Sequence, residues 1–292
     1  MDAKQELREF LTTRRARIQP EETGLPAFAG RRRVAGLRRE EVALLAGISV
    51  EYYTRLERGN AHGVSDDVLD GLSRALQLDE AEREHLLDLV RTENLERPAR
   101  RTTAPQRVRP SVQRIVEAMA GIPAFVRNGR LDILYANPLA AALYSLQFSD
   151  AVQPPNSARF TFLDPRARTY FADWERAAHD VVAQLRGEAG RNPYDRMLSD
   201  LIGLLSTRSE EFRVLWAGHD VRFHRTGSKR FRHPLVGDLT LAYEALELPA
   251  DPGLTIVTYS ADPGSSSEQA LLELGRWAAT RAKLSAVETE AE

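Results

Sequence analysis

The chain has 292 residues, enough for two domains, with 42% hydrophobic residues, 28% charged residues and a formal net charge of −2. It contains no cysteine, which excludes disulfides, iron–sulfur ligation and a thiol nucleophile. No apolar run reaches membrane-spanning length and the opening MDAKQELREF has no secretory apolar core, so a cytoplasmic protein without a membrane partner is expected.

Lys4, Lys229 and Lys283 are the only lysines, leaving 37 of the 40 basic positions to arginine, a bias associated with GC-rich genomes. Residues 1–62 carry 12 basic against 9 acidic side chains, and residues 111–292 carry 20 against 23. The N-terminal end is therefore the better match for a polyanion.

Leu7, Phe10 and Leu11 recur at helical spacing in the opening segment. A loop rich in Pro and Gly follows, and Leu37 to Ala46 then reads as a short helix interrupted by Gly47. Ser49 is placed to cap the next helix and Gly59 to end it. Ser65 caps a fourth helix with Val68, Leu69, Leu72, Ala75 and Leu76 as its stripe. A fifth is built on Leu86, Leu87, Leu89 and Val90.

Residues 97–110 hold Pro98, Pro105, Pro110, five arginines and no acid, the composition of a linker. Beyond it the runs Ile122 to Val126 and Leu131 to Ala136 are β-prone, with the hairpin signal Asn128-Gly129 between them. Asn137-Pro138 reads as a helix start, and Asp164-Pro165 as a second one before a helix containing Tyr170, Phe171 and Trp174. Phe212 to Phe223, Phe231 to Pro234, Leu239 to Leu246 and Leu254 to Tyr259 read as further strands. The tail from Ser267 reads as a helix that frays after Leu284.

The stretch LRREEVALLAGISVEYYTRLERG meets the demands of a helix-turn-helix. Ala43 is small where the second helix must cross the first, and Gly47 permits the sharp turn. Val42, Ile48, Tyr53 and Leu56 supply the buried side. Val50, Glu51, Tyr52, Arg55 and Arg58 fall on the outer face of the second helix, which enters the major groove while the first crosses the backbone. The segment resembles the helix-turn-helix of phage-repressor-like (XRE) regulators. By that resemblance the base-contacting positions fall on Val50, Glu51 and Arg55, and a phosphate-contacting position on Arg39 with Arg38 beside it. Arg55 matches guanine O6 and N7; Glu51 either accepts from cytosine N4 or orients Arg55. Arg38, Arg39 and Arg58 are expected to hold phosphates. The loop before Leu37 departs from that family, and its Arg31, Arg32 and Arg33 are either a basic arm or a solvated loop. Ser49 completes the expected DNA-binding set.

The second half has no Gly-rich phosphate loop, no G-x-S-x-G and no metal-ligand spacing: His219 and His224, five apart, fall on opposite faces of a strand. No enzyme and no cofactor are expected. The order of a helix-turn-helix, an Arg-rich link and the blocks IPAFVRNGRLDILYANPLAAAL, NSARFTFLDPRARTYFADWERAA and HPLVGDLTLAYEALELPADPGLTIVTYSADPGS resembles the actinobacterial MmyB-like regulators over residues 3–266. That resemblance implies a PAS-like domain that senses a fatty acid or similar amphiphile. Phe125, Phe160, Trp174, Trp216 and Tyr243 are candidate walls of its pocket or simply core. Asn156 and Arg159 are candidates for fixing a carboxylate, with Tyr135 as a weaker one; the alternative is Arg159 paired with Asp164 or Asp173.

The expected layout is two domains. An all-α, lambda-repressor-like helix-turn-helix domain (1–96) and an Arg/Pro-rich linker (97–110) precede an α+β PAS-like domain with an antiparallel sheet (111–266). A C-terminal helix and tail (267–292) complete it. The expected protein is a transcription regulator that binds double-stranded DNA as a homodimer and senses a small amphiphile. The competing reading gives its second domain to protein interaction or dimerisation without a ligand.

Overall fold

The computed structural model describes residues 3–24, 34, 36–94, 106–149, 152–219 and 225–290, with side chains as far as residue 280. Helix α1 (Ala3–Arg17) buries Leu7, Phe10 and Leu11, the i, i+3, i+4 stripe read from the sequence. A 3-10 turn (Pro20–Glu22) follows. Helix α2 (Arg39–Ala46) starts behind Arg38, whose backbone N–H donates to the Glu41 carboxylate at 2.6 Å. It stops at Gly47, which sits at φ 71°, a conformation that favours glycine. Helix α3 (Val50–Glu57) begins behind Ser49, whose hydroxyl oxygen accepts the N–H of Tyr52 at 3.1 Å.

Arg58 caps α3 and Gly59, at φ 86°, turns the chain away; a Cβ at Gly59 would overlap the carbonyl of Lys4. Helices α4 (Asp66–Ala75) and α5 (Glu80–Asn94) complete the set. Ser65 occupies the N-cap position of α4 without a side-chain bond to its first turn. Val42, Ala43, Tyr53, Leu56, Leu69, Leu72 and the α1 stripe form one core. Helix α4 approaches α2 closely at Gly71, where a Cβ would come within 2.6 Å of the Ala46 carbonyl oxygen.

Helix α6 (Pro110–Ala118) has Pro110 in its first turn, and Val108 just before it is buried. The C-terminal end of the expected linker is thus folded, while 95–105 lie outside the described residues. Strands β1 (Ala124–Asn128) and β2 (Ile133–Ala136) form the expected hairpin. The Asn137 side chain accepts the N–H of Ala140 and starts α7 (Pro138–Leu143), followed by α8 (Ser145–Phe148) and α9 (Ser157–Leu163).

Two readings are corrected here. The helix expected after Asp164-Pro165 is two helices, α10 (Ala167–Tyr170) and α11 (Trp174–Arg191), with Phe171 extended between them in a bridge to Phe231. After α12 (Arg196–Arg208), the first part of the strand expected over Phe212 to Phe223 is helix α13 (Glu210–Ala217), while 220–223 lie outside the described residues. Ser209 accepts the N–H of Phe212, and Glu210 and Glu211 favour the positive end of the helix dipole, so local capping overrides the β-prone side chains.

Strands β3 (Thr226–His233), β4 (Gly237–Glu247) and β5 (Leu254–Ser260) join the hairpin in one antiparallel sheet of order β2-β1-β5-β4-β3. One face, with Phe125, Phe231, Leu239, Leu241, Val257 and Tyr259, packs on a core shared with α7, α9, α10 and α14 (Ser266–Glu290). The other, with Ala124, Val126, Leu254 and Ile256, packs on Val112 and Val116 of α6. This is the α+β domain with an antiparallel sheet expected after the helix-turn-helix.

The chain forms two compact units, and they are not contiguous in sequence. The first takes in Met1–Thr102, Arg186–Ile202 and Val214–Phe223; the second takes in Thr103–Leu185, Gly203–Arg213 and His224–Glu292.

Candidate functional site

The outer face of α3 is polar and open. Glu51, Arg55 and Arg58 are exposed, and Val50 is 41% exposed. Glu51 and Arg55 are four apart on one helical face, yet no ion pair joins them among the described residues. The guanidinium of Arg55 instead lies over the Tyr52 ring, 4.6 Å from its centroid. The Arg55 guanidinium thus rests on Tyr52 rather than on Glu51. Beside the start of α3 a shallow groove of about 520 Å³ is lined by Arg38, Glu40, Ala43, Leu44, Ile48, Ser49 and Val50.

Glu57, the last residue of α3, is buried and forms an anchor beneath this face. Its carboxylate accepts from Arg15 Nε at 2.6 Å, from Arg39 Nε, and from the Tyr53 hydroxyl at 3.3 Å. Burial, reinforced by the adjacent Glu57 charge, pushes the Tyr53 hydroxyl well above its ordinary value. Arg39 keeps half its side chain exposed, so its outer nitrogens face solvent while Nε holds the end of α3. Arg38 is mostly covered and faces Glu40 at 3.4 Å. Arg31, Arg32 and Arg33 lie outside the described residues.

In the second unit, the inner face of the sheet encloses a cavity of about 20 Å³, room for a water molecule. Arg127, Lys229, Asp180 and Gln184 bring polar groups to it, and Phe125, Phe171, Tyr144 and Tyr259 bring rings. The Tyr144 and Tyr259 hydroxyls are 2.5 Å apart. Lys229 Nζ sits 4.5 Å from the centroid of the Phe171 ring. Neither the Arg127 nor the Lys229 side chain has a hydrogen bond or an ion pair within 4 Å among the described residues. Burial pulls Lys229 down to about 8, against the opposing charge of Asp180 and with Arg127 adding to the fall. Burial also lowers Arg127 and raises Tyr259 to about 12. Among the described residues that line it, two partly buried cations face one carboxylate, an arrangement that suits a monoanion.

The candidate ligand residues scatter about this cavity. Phe125 lines it. Tyr243 and Phe160 belong to the same core, Phe160 between the rings of Tyr170 at 5.7 Å and Phe171 at 5.8 Å. Trp174 donates its indole N–H to the Thr161 carbonyl at 3.0 Å, beneath the Arg168 guanidinium. Tyr135 pairs with Val126 on the α6 face of the sheet and donates to Glu117. Asn156 is buried and fully engaged. Its Oδ1 accepts the N–H of Arg159, and its Nδ2 donates to the Arg130 carbonyl and Asp132, each at 2.8 Å. Arg159 donates to the Pro154 carbonyl at 2.7 Å, while Asp164 pairs with Arg166 and Asp173 with Arg230. Trp216 lies in the first unit, under Arg186.

Sequence reasoning missed Arg127 and Lys229. A signal was present in the strand period: Arg127 is in phase with Phe125, and Lys229 with Phe231 and His233, so both cations share the phase of buried residues. No group of three or more metal-ligating side chains occurs among the described residues, and no described helix is long and apolar enough to cross a membrane.

Comparison with known families places two matches along the chain. A helix-turn-helix domain matches residues 6–86, and the MmyB-like transcription regulator ligand binding domain matches residues 108–274. No curated protein matches the chain.

Proposed function

The chain belongs to the MmyB-like transcription regulators, and on that premise we propose that it is a cytoplasmic, sequence-specific regulator whose C-terminal domain answers to an amphiphilic carboxylate such as a fatty acid. The observation that carries this reading is the pair of cations, Arg127 and Lys229, facing an aromatic-walled cavity with no anionic partner within 4 Å among the described residues. A carboxylate head group supplies the missing charge through charge-assisted hydrogen bonds. The cavity as it stands holds about 20 Å³, so the apolar body of such a ligand enters only by moving side chains apart. Binding is then coupled to repacking, which gives the ligand different affinities for two arrangements and hence a signal.

DNA is read by Arg55 and Val50 from the start and middle of α3, with Glu51 beside them and Arg38, Arg39 and Arg58 on phosphates. One helix-turn-helix offers few base contacts, so a homodimer on a two-fold operator is the working form. The protein is not an enzyme in this reading; its chemistry is recognition.

The test uses the full chain. A duplex enriched from a random-sequence pool gives the operator, and its affinity is measured with and without octanoate, myristate or oleate. A ligand-dependent change in operator affinity, with bound carboxylate recovered by mass spectrometry, is the expected result. An enriched operator whose affinity no fatty acid alters, with no thermal shift from any of them, overturns the ligand part and leaves the DNA part standing.

A further inference from the structure

Arg186 is fully buried at the C-terminal end of α11. Its Nη1 donates to Glu6 Oε2 at 2.7 Å and to His219 Nδ1 at 2.8 Å, its Nη2 donates to the Trp216 carbonyl, and its guanidinium lies 4.0 Å from the centroid of the Trp216 ring. A nitrogen that accepts from Arg186 leaves His219 Nε2 as the protonated one, and it faces Glu9 at 3.0 Å. The His219 carbonyl accepts from Arg14, which pairs with Glu82 at 3.0 Å. Glu6, Glu9 and Arg14 all lie on α1.

The same helix carries Arg15, whose side chain turns to the other partner. Arg15 Nε donates to Glu57 and Nη1 to the Leu37 carbonyl at 2.8 Å, while its own carbonyl accepts the Leu37 N–H at 3.1 Å. Glu57 ends α3 and also holds Arg39. Helix α1 is therefore held by buried, charge-assisted bonds on two sides. Arg186 and His219 grip one side; the end of the recognition helix and the start of α2 are tied to the other. Both grips lie within the first unit. Arg186 and His219 nevertheless fall inside the span that matches the ligand-binding domain, well beyond the helix-turn-helix match.

We propose that Arg186 and His219 are positioning residues for DNA recognition: acting through α1, Arg15 and Glu57, they set the placement of α3, so that reading of the operator depends on residues far beyond the helix-turn-helix. Neither residue touches DNA in this scheme. Buried bonds of this kind tolerate little displacement, because loss of one partner leaves a charge stranded. Sequence-specific affinity needs base edges met with good geometry, whereas non-specific affinity comes from phosphate charge and is indifferent to small shifts of a helix. The two affinities should part company when the grip on α1 is broken.

This inference rests on α3 being the recognition helix, and the experiment separates the two. The full chain is used to enrich a duplex from a random pool, and affinities for that duplex and for a random duplex are compared. The double variant Arg186→Met with Glu6→Met removes both charges together, so that neither is stranded. It is expected to melt near the wild type, keep its affinity for random duplex, and lose about tenfold on the enriched duplex. His219→Gln, which leaves the Glu6–Arg186 pair in place, is expected to lose severalfold on the enriched duplex alone and carries the test if the double variant does not fold. A folded variant that keeps the wild-type ratio of the two affinities overturns the inference. A wild-type chain that enriches no sequence overturns the reading of α3 and this inference with it.

Discussion

Arg127 on β1 and Lys229 on β3 reach the same cavity from strands separated by two others, β5 and β4, in the sheet. Nothing local in either strand brings them together; the inward phase of each does, over a core of rings. Removing a partly buried cation that has no ion-pair partner within 4 Å among the described residues relieves a burial penalty. Arg127→Met and Lys229→Met are therefore expected to raise the melting temperature of the ligand-free protein while weakening carboxylate binding by about 1.5–3 kcal/mol each. Differential scanning calorimetry with and without myristate checks both halves. A variant that is less stable and binds as before would assign these side chains to structure.

Lys229 adds a pH signature. Burial holds it at about 8, so it is charged below that value and neutral above it. Anion affinity should therefore fall as pH rises through about 8, and Lys229→Met should remove that dependence. Isothermal titration with a ligand whose carboxylate stays ionised throughout isolates the effect.

The outer face of α3 predicts a division between arginines. Arg55, held over Tyr52 rather than paired with Glu51, is free to meet a base edge. Arg55→Ala should cost about 1–3 kcal/mol on the operator and relax specificity at one base pair. Tyr52→Phe keeps the ring beneath the guanidinium and should leave specificity intact. Arg39→Ala should weaken operator and random duplex alike and flatten the salt dependence by about one phosphate contact. Gel-shift titrations across a salt series distinguish the two patterns.

Much of the first unit was legible because its signals are local. Gly47 at positive φ, Ser49 capping α3 and the small Ala43 each answer to a few neighbouring residues. The sheet was legible where alternation is strict, as along Leu239, Leu241 and Tyr243. The misreadings came where local and wider signals disagree. Phe212, Val214 and Trp216 are β-prone, yet Ser209 and two acidic residues start a helix there. Aromaticity groups Trp216 with the ligand walls; tertiary structure alone places it under Arg186 in the first unit.

Asn156 marks a second boundary of what sequence can show. Its type and setting suited a head-group anchor, but its side chain caps α9 and ties that helix to the β1–β2 hairpin through Arg130 and Asp132. Asn156→Ala removes a cap and leaves buried partners short of a donor. A loss of about 2–3 kcal/mol is expected in urea unfolding. If stability is kept and carboxylate binding alone is lost, the side chain belongs to the ligand site after all.

Acid should loosen the first unit before carboxylate titration alone would do so. His85 is fully buried against Phe10, with no hydrogen-bond partner for either ring nitrogen among the described residues, and burial with nearby Arg186 and Arg14 depresses it to about 3. His219 is held at about 3 by burial and the same two arginines. Both are neutral when folded and take up protons near 6.5 when unfolded. Between about 6.5 and 3 the unfolded chain binds more protons, so stability falls as pH falls. The slope is at most about 1.4 kcal/mol per pH unit for each histidine. Glu6, raised by burial, works in the opposite direction within its own range, nearer the acid end. Urea melts of the full chain from about pH 7 to about pH 5 should show this loss, and His85→Met should remove about half of the slope. An unchanged slope in that variant would mean that His85 is already protonated in the folded protein.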